Sequence, residues 1–380
     1  MRLGSYEVRL EKRGAIAGWQ ATIISLLAIL VALALVGIIF LQAGVNPITG
    51  FRGIFSYAFV NKFGLPLTIN RSIFILLCTC AFIVPLRAGL WNIGIAGQLY
   101  GGALAAFGVA LTLGARETQV PTLPSGVVVA LMLLGALLGG ALVGAVPGYL
   151  KGRFNTNEIV VTMMMNSVVY WLIAFMIKEG GPFMGGGGEG QGFELSESVF
   201  APTILGGTFT IPIALGVAAL LSWMLTKTTQ GYQIRAFGQS PTAARYAGIN
   251  PRAIPLLAFT LGGLIAGLAG YHYFAAVEGL YKIPLNYGDF GDLSFFGIIC
   301  GLISQGNPLA AIPISFLFGG LTNGGRFVQG QLQLGFGVDY ALLGVLMITL
   351  VASQFFYRHA IVWKKAERES RHVGIRRAEP

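Results

Sequence analysis

The chain has 380 residues, of which 55% are hydrophobic and only 11% are charged, and its formal net charge is +10. An average soluble domain has about 25% charged residues, so this composition excludes a soluble globular protein with a charged exterior. The apolar residues lie in continuous runs of about 20, the length of an α-helix that crosses the hydrocarbon core of a membrane. Continuous rather than alternating runs exclude a β-barrel and predict an all-α, polytopic membrane protein.

The runs predict about ten transmembrane helices within residues 20–356, between an N-terminal segment 1–19 and a basic tail 357–380. The first run is longer than the apolar part of a signal peptide and lacks a cleavage site, so we expect it to be retained. The predicted helices cover residues 20–41, 67–86, 92–113, 126–148, 158–177, 209–226, 253–275, 289–304, 308–324 and 338–356.

The basic residues predict the orientation. With both termini inside, 18 of the 25 Lys and Arg residues fall in inner segments, as the positive-inside rule requires. The region 227–252 is then cytoplasmic, and the glycine-rich loop 178–208 is extracytoplasmic. That loop is interpreted as a solvated, mobile connector, or alternatively as a docking surface for an external protein. The net charge thus reflects topology, and no nucleic-acid partner is expected.

The sequence offers no catalytic or metal site. Cys78, Cys80 and Cys300 lie in apolar runs without further ligand residues, which is typical of small buried side chains. A GxxxxGK[ST] phosphate-binding loop is absent, so the chain is not expected to bind ATP by that means. No Ser–His–Asp or paired-carboxylate arrangement occurs either, and an enzymatic role is not expected.

Two apolar segments carry features that a purely lipid-facing helix would lack. Around residues 86–108, Asn92 and Gln98 accompany Gly94 and Gly97. An unsatisfied amide in hydrocarbon costs several kcal/mol, so these side chains should face protein or a wet cavity. Residues 287–320 form two short apolar pieces joined by a polar turn, a pattern that marks substrate pathways in many transporters. Helix packing with interhelical hydrogen bonds is the alternative for both segments.

A third segment, residues 231–251, is predicted to contain a short amphipathic helix that begins at Pro241, since proline is tolerated in the first turn. Small residues would give this helix a smooth face for a groove in another protein, and arginines accompany them. A solvated loop made basic by the positive-inside rule is the alternative. The small residues are Ala243, Ala244, Ala247 and Gly248.

Together these stretches resemble the permease subunits of ABC importers for branched-chain amino acids, simple sugars and nucleosides. The similarity covers about residues 65–356 and is carried by LWNIGIAGQLYGGALAA, RAFGQSPTAARYAGI and LISQGNPLAAIPISFLFGGL, in that order. The stretch NTNEIVVTMMMN, which ends at Asn166, is most similar to the nucleoside and sugar branches. The resemblance implies a ten-helix permease fold in a prokaryotic cytoplasmic membrane, and a nucleoside or, alternatively, a simple sugar as the substrate.

The resemblance also implies partners: a cytoplasmic ATPase subunit that binds ATP and Mg²⁺, a second permease subunit, and an extracytoplasmic binding protein or lipoprotein. This chain itself would bind no cofactor. The ATPase would contact a coupling helix formed by Gly231, Arg235, Gly238, Pro241, Ala243, Ala244, Arg245 and Gly248. The substrate pathway would be lined by Trp91, Asn92, Gly94, Gly97, Gln98, Asn166, Phe295 and Phe296.

One departure concerns the second pathway segment. Related permeases often have a Gly-Phe-Asp-Gly pattern where this chain has Phe295–Phe296–Gly297, and the nearest acids, Asp289 and Asp292, lie upstream. A carrier driven by an ion gradient is the rival class of transporter. It would need acids near the centre of the membrane, which the predicted spans almost entirely lack.

The orientation gives the first testable prediction. In intact cells, a membrane-impermeant thiol reagent should label Ser198→Cys, in the external loop, and should not label Ser370→Cys, in the internal tail. The reagent should reach both cysteines after the membrane is permeabilised. Labelling of Ser370→Cys alone in intact cells would reverse the predicted topology.

Overall fold

The structure is a computed structural model of the chain. It describes residues 2–3, 6–12, 18–178, 180–185, 190–200, 203–204, 207–277, 280–284, 288–334, 341, 344–345, 347–349, 351–353, 355 and 359–365. The chain forms two compact units, residues 1–37 with 344–380 and residues 38–343.

The first unit contains a small antiparallel sheet made from both ends of the chain. Strand β1 (Arg2–Leu3) pairs with β2 (Tyr6–Lys12), and β2 pairs along its whole length with β5 (His359–Lys365). The register runs from Tyr6 opposite Lys365 to Lys12 opposite His359. The sequence predicted the N-terminal segment and the C-terminal tail as separate regions, whereas in the structure they form one sheet. Helix α1 (Gly18–Gln42) begins in this unit.

The second unit is a helical bundle. Its helices are α2 (Pro47–Phe55), α3 (Gly64–Arg87), α4 (Ile95–Thr112), α5 (Ser125–Phe154), α6 (Glu158–Ile177), α7 (Thr210–Lys227), α8 (Thr229–Gln239), α9 (Pro241–Tyr246), α10 (Ala253–Tyr271), α11 (Gly288–Ile303) and α12 (Pro308–Gln331). Single π-helical turns extend α2 over Ser56–Val60 and α10 over His272–Ala276, and a 3₁₀ turn covers Glu197–Val199. Strands β3 (Thr203–Ile204) and β4 (Gly207–Thr208) form a short hairpin before α7.

The helical, membrane-spanning character predicted from the sequence is confirmed for this bundle. Among the described residues, six helices are long and apolar enough to cross a membrane, and a bent pair, Leu30–Gln42 with Pro47–Val60, raises the number to seven. The predicted eighth and ninth helices correspond to α11 and α12, and α12 extends seven residues beyond its predicted end at 324. Of the predicted tenth helix, 338–356, the structure describes ten residues between 341 and 355, all of them helical, and both predicted ends lie outside the described residues. Within the part of the chain that the structure describes, the strands lie at the chain ends and in the loop before α7.

Glycines hold α4, α5 and α10 together at a three-helix junction. A Cβ atom on Gly102 of α4 would lie 2.8 Å from the Ala136 carbonyl oxygen of α5. One on Gly140 of α5 would lie 2.7 Å from the Gly267 nitrogen of α10, and one on Gly267 would lie 3.2 Å from the Gly140 Cα atom. Lipid tails give apolar helices no hydrophobic reason to associate, so van der Waals contact between closely approaching backbones becomes a main stabilising interaction.

Helix α3 lies at the centre of the bundle, and every residue from Ser72 to Pro85 is buried. Its start is tied to two other helices through His272 in the π-helical turn after α10. The His272 Nε2 atom is 2.8 Å from the Asn70 carbonyl oxygen of α3, and Nδ1 is 2.6 Å from the Thr210 hydroxyl of α7. A carbonyl oxygen only accepts, so Nε2 carries the proton and Nδ1 accepts from Thr210. This histidine therefore joins three helices.

The loop 178–208 is ordered where it is described, in contrast to the expected mobile connector. Phe193 is fully buried and packs against Phe107 of α4 and Phe183, with ring centroids 5.6 and 5.7 Å away. Arg116 lies over the Phe193 ring and donates a 2.7 Å hydrogen bond to the Met184 carbonyl oxygen. The loop therefore forms a packed cover over this end of α4. Three of its four consecutive glycines lie outside the described residues.

The three-helix junction predicts the effect of adding a side chain there. Gly140→Leu should destabilise the fold by at least about 3 kcal/mol, the upper end for overpacked cores, because the atoms it meets are backbone and cannot rotate away. The measurement is the thermal midpoint of the detergent-solubilised protein. Gly216→Leu is the matched control, since no atom lies within 4 Å of the corresponding Cβ position. Equal midpoints for the two variants would refute the prediction.

Candidate functional site

The candidate site begins where α3 ends and the chain turns into α4. Gly89 has a φ angle of +71°, the left-handed conformation that favours glycine. The Gly89 N–H donates to the Leu86 carbonyl oxygen and the Leu90 N–H to the Pro85 carbonyl oxygen, at 3.0 and 2.9 Å. These bonds satisfy the last carbonyls of α3 and leave residues 90–93 in a non-helical stretch.

Asn92 and Gln98 bind each other in this stretch. The Asn92 amide donates to the Gln98 side-chain oxygen at 2.9 Å, and the Gln98 amide donates back to the Asn92 oxygen at 3.1 Å. The Gly94 N–H donates to the same Asn92 oxygen at 3.1 Å. Both side chains are buried, with 0% and 1% of their surface exposed. The arrangement satisfies the amides inside the protein and supports the start of α4 from within.

Asn166 of α6 fastens the same turn to a neighbouring helix. Its side-chain oxygen accepts from the Gly97 N–H at 2.7 Å, and its amide donates to the Ile93 carbonyl oxygen at 3.1 Å. A Cβ atom on Gly97 would lie 2.9 Å from the Asn166 oxygen, and one on Gly94 would lie 2.9 Å from the Thr162 Cβ atom. The two glycines are therefore needed for the close approach of α4 to α6, which the sequence left open as one of two roles.

Two aromatic residues assigned to the pathway leave much of their surface uncovered. Trp91 is 41% exposed and meets Phe82 of α3 edge to face, at a centroid distance of 5.9 Å. Phe295 on α11 is 45% exposed, whereas its neighbour Phe296 is buried. Phe82 also touches α11, since a Cβ atom on Gly301 would lie 2.6 Å from its ring. Phe82 of α3 thus contacts both Trp91 and α11.

The structure therefore brings six of the eight predicted pathway residues together: Trp91, Asn92, Gly94, Gly97, Gln98 and Asn166. It places Phe295 and Phe296 on a different helix, connected to the first group through α3. The backbone of Asp289 and Asp292 belongs to α11, and their side chains lie outside the described residues.

The predicted coupling segment forms two helices instead of one, α8 and α9, which together are called the arm. The Thr228 hydroxyl caps α8 by accepting from the Gly231 N–H at 3.1 Å, and the Ser240 hydroxyl caps α9 by accepting from the Ala243 N–H at 3.2 Å. Pro241 occupies the first turn of α9, as predicted. Ser240, which ends α8 and caps α9, and the following Pro241 explain why the segment breaks into two short helices.

The exposure of the arm differs in one respect from the smooth face expected of it. Ala244 is buried within the chain, whereas Ala243, Arg245 and Gly248 are exposed. Tyr246 at the end of α9 is 91% exposed, and the sequence interpretation missed it. An exposed aromatic ring beside arginine is a frequent anchor of protein interfaces. Tyr246 could have been identified from the sequence, because it is an aromatic residue in a segment of mostly small and basic residues.

Two of the remaining coupling residues, Gly231 and Gly238, face the bundle. Gly231 of α8 packs against the end of α7, where a Cβ atom would lie 2.6 Å from the Leu225 Cα atom. Gly238 packs against the α3–α4 turn, where a Cβ atom would lie 2.9 Å from the Gly89 nitrogen. Arg235 is partly exposed. The arm is thus seated on the bundle through glycine contacts and exposes α9.

Residues 67–351, about three quarters of the chain, match the family described as branched-chain amino acid transport system, permease component. The chain belongs to this permease family. As a member, it is a transport subunit of an ABC transporter and a multi-pass membrane protein, not an enzyme.

Three curated relatives match the permease over most of its length. A glucose ABC transporter permease of Haloferax volcanii is 28% identical, with 93% of each chain covered. A nucleoside ABC transporter permease of Lactococcus lactis is 26% identical over 80% of this chain and 84% of its own. A guanosine ABC transporter permease of Bacillus subtilis is 28% identical over 88% of this chain and 94% of its own.

The Asn92–Gln98 pair predicts a measurable coupling in the permease. Gln98→Leu should lower the free energy of unfolding by about 1–3 kcal/mol, because it leaves the buried Asn92 amide without its partner. The double variant Asn92→Leu/Gln98→Leu should be less destabilised than the sum of the two single variants, as expected for residues in direct contact. Thermal or denaturant unfolding in detergent measures both. The control is Gln119→Leu at an exposed loop position; additive effects would show that the pair is not formed.

Proposed function

We propose that this chain forms the translocation pathway of an ABC importer for a small polar solute, with a nucleoside as the first candidate and a simple sugar as the alternative. The observation that carries the proposal is the family match over residues 67–351, combined with an exposed arm at one end of the bundle. The named relatives transport nucleosides, guanosine or glucose.

The exposed aromatic residues support such a substrate. A nucleobase or a sugar ring has a flat or weakly polar face that stacks on aromatic side chains, and Trp91 and Phe295 each leave over 40% of their surface open. The stretch that ends at Asn166 favours the nucleoside branch, and two of the three relatives carry nucleosides. The Haloferax glucose permease, which covers most of this chain, supports the sugar alternative.

Transport would be driven from outside this chain. ABC permeases work with an ATPase and a binding protein, and we assign the ATPase to the arm. Arg245 and Tyr246 on α9 are exposed and suit a partner groove that offers carboxylates and an apolar pocket. ATP and Mg²⁺ would bind to that partner. Closure of the ATPase on ATP would then move the arm and switch the pathway between its two openings.

The orientation follows from charge. The arm end would be cytoplasmic together with both chain termini, in a prokaryotic inner membrane, since 18 of 25 basic residues then lie inside. The packed cover formed by residues 181–185 and 190–200 would face the extracytoplasmic binding protein. A second permease subunit, identical or homologous, would complete the pore.

A carrier driven by an ion gradient is disfavoured by the scarcity of acids in the described spans. Among the six membrane-length helices that the structure describes, the single Asp or Glu is Glu158. It lies in the first turn of α6 and forms a 2.9 Å ion pair with Lys151 near the end of α5. An acid at a helix end, already paired with lysine, is poorly placed to carry protons or sodium ions through the membrane centre.

The docking assignment predicts that charge reversal on α9 separates the permease from its ATPase. Arg245→Glu should reduce co-purification of the ATPase subunit by roughly tenfold and abolish uptake, because loss of one interfacial charge pair typically costs more than 1 kcal/mol. The permease itself should keep its thermal midpoint. The measurement is the amount of ATPase retained by a tagged permease, together with uptake of radiolabelled guanosine in the same cells.

Lys62→Glu is the matched control, because Lys62 is exposed and lies before α3, at the end opposite the arm. Normal ATPase retention and uptake in Arg245→Glu would contradict the docking assignment. The same uptake assay separates the substrates: excess unlabelled guanosine should suppress the signal and excess glucose should not. Suppression by glucose would favour the sugar alternative, and uptake that persists without any ATPase would reject an ABC importer.

A further inference from the structure

Helix α8 touches the end of α3 through backbone atoms on both sides. A Cβ atom on Gly238 would overlap the Arg87 carbonyl oxygen and would lie 2.9 Å from both the Ala88 carbonyl carbon and the Gly89 nitrogen. A Cβ atom on Gly89 would lie 3.1 Å from the Gly238 carbonyl oxygen. The contact therefore excludes any side chain at Gly238, and rotamer changes cannot absorb a displacement of α8.

The same residue, Arg87, reaches the turn between α11 and α12. Its Nε atom donates a 2.8 Å hydrogen bond to the Gly306 carbonyl oxygen. Gly306 has a φ angle of +68°, and a Cβ atom there would lie 3.0 Å from the Arg87 Nε atom. Backbone bonds to Gly301 and Ser304 fold this turn tightly between the two helices. Arg87 thus holds a second turn of the bundle through its side chain.

Two segments of the candidate pathway are connected to Arg87–Gly89. The α3–α4 turn leads within two residues from Gly89 to Trp91 and then to the Asn92–Gln98 pair. The α11–α12 turn closes the helix that carries Phe295. The arm meets both at Arg87–Gly89, while α9 with Arg245 and Tyr246 remains exposed to a partner.

We propose that the contact of Gly238 with Arg87–Gly89 transmits movement of the arm to both pathway segments at once. Gly238 and Arg87 are then positioning residues of transport, distinct from the docking residues on α9. The inference rests on the proposed function, because the movement is supplied by the ATPase. Closely packed backbone is stiff, so a shift of α8 displaces the α3–α4 turn directly and the α11–α12 turn through the Arg87 hydrogen bond.

The test is the ratio of transported substrate to hydrolysed ATP in proteoliposomes that contain the whole transporter. Gly238→Ala should retain the ATPase subunit and ATP hydrolysis, while uptake per ATP falls by about tenfold, because the added methyl group forces α8 off its seat on α3. Gly216→Ala is the matched control, since its Cβ atom meets nothing within 4 Å. Normal uptake per ATP in Gly238→Ala would overturn the inference.

A second variant leaves the glycine contact intact. Arg87→Met keeps a long side chain but removes the donor to Gly306, and it should also lower uptake per ATP while the ATPase stays bound. If Gly238→Ala instead loses the ATPase, the residue serves docking and the inference fails. If neither variant folds, both residues are merely structural and the inference fails as well. A wild-type permease that binds no ATPase would reject the proposed function itself.

Discussion

Direct contact between backbones at the α4, α5 and α10 junction is the constraint on which the rest of this permease depends. Gly102, Gly140 and Gly267 let three helices meet without intervening side chains. In lipid, such contacts supply much of the association energy that hydrophobic burial supplies in water. They also fix the height of α4 relative to α10, and with it the position of the turn that precedes α4.

A bundle fixed in this way can tolerate irregular backbone at membrane depth. Unpaired amides are costly in hydrocarbon, so a non-helical stretch is stable only where protein groups satisfy it. Asn92, Gln98 and Asn166 satisfy the stretch between α3 and α4, and His272 joins the π-helical turn after α10 to α3 and α7. These polar side chains therefore stabilise the breaks in the helices, and the most exposed side chains assigned to the candidate pathway are the aromatic ones of Trp91 and Phe295.

Polar residues that serve structure, together with exposed aromatic residues, suit a permease that performs no chemistry. The chain supplies a helical bundle, the exposed helix α9 and two turns that are joined at Arg87. The stiffness of glycine contacts makes them effective for passing on a displacement, because neither side can yield by rotating a side chain. The same property makes single added methyl groups informative, since they change contact geometry without introducing charge or polarity.

The sequence by itself determined the membrane environment, most of the helix bounds and the family, because hydrocarbon thickness and the requirement for paired backbone groups leave a strong pattern in apolar residues. It also singled out the polar and glycine residues near residue 95, whose role in a substrate pathway stays a prediction. Only the tertiary structure decided what they contact: Asn92 with Gln98, Gly97 with Asn166, Gly238 with Gly89, and Ala244 buried beside an exposed Tyr246. The strand pairing of the chain ends was equally invisible, since residues 6–12 and 359–365 lie far apart in sequence. Periodicity reports the polarity of an element's surroundings, whereas a contact between distant residues depends on how the helices are packed.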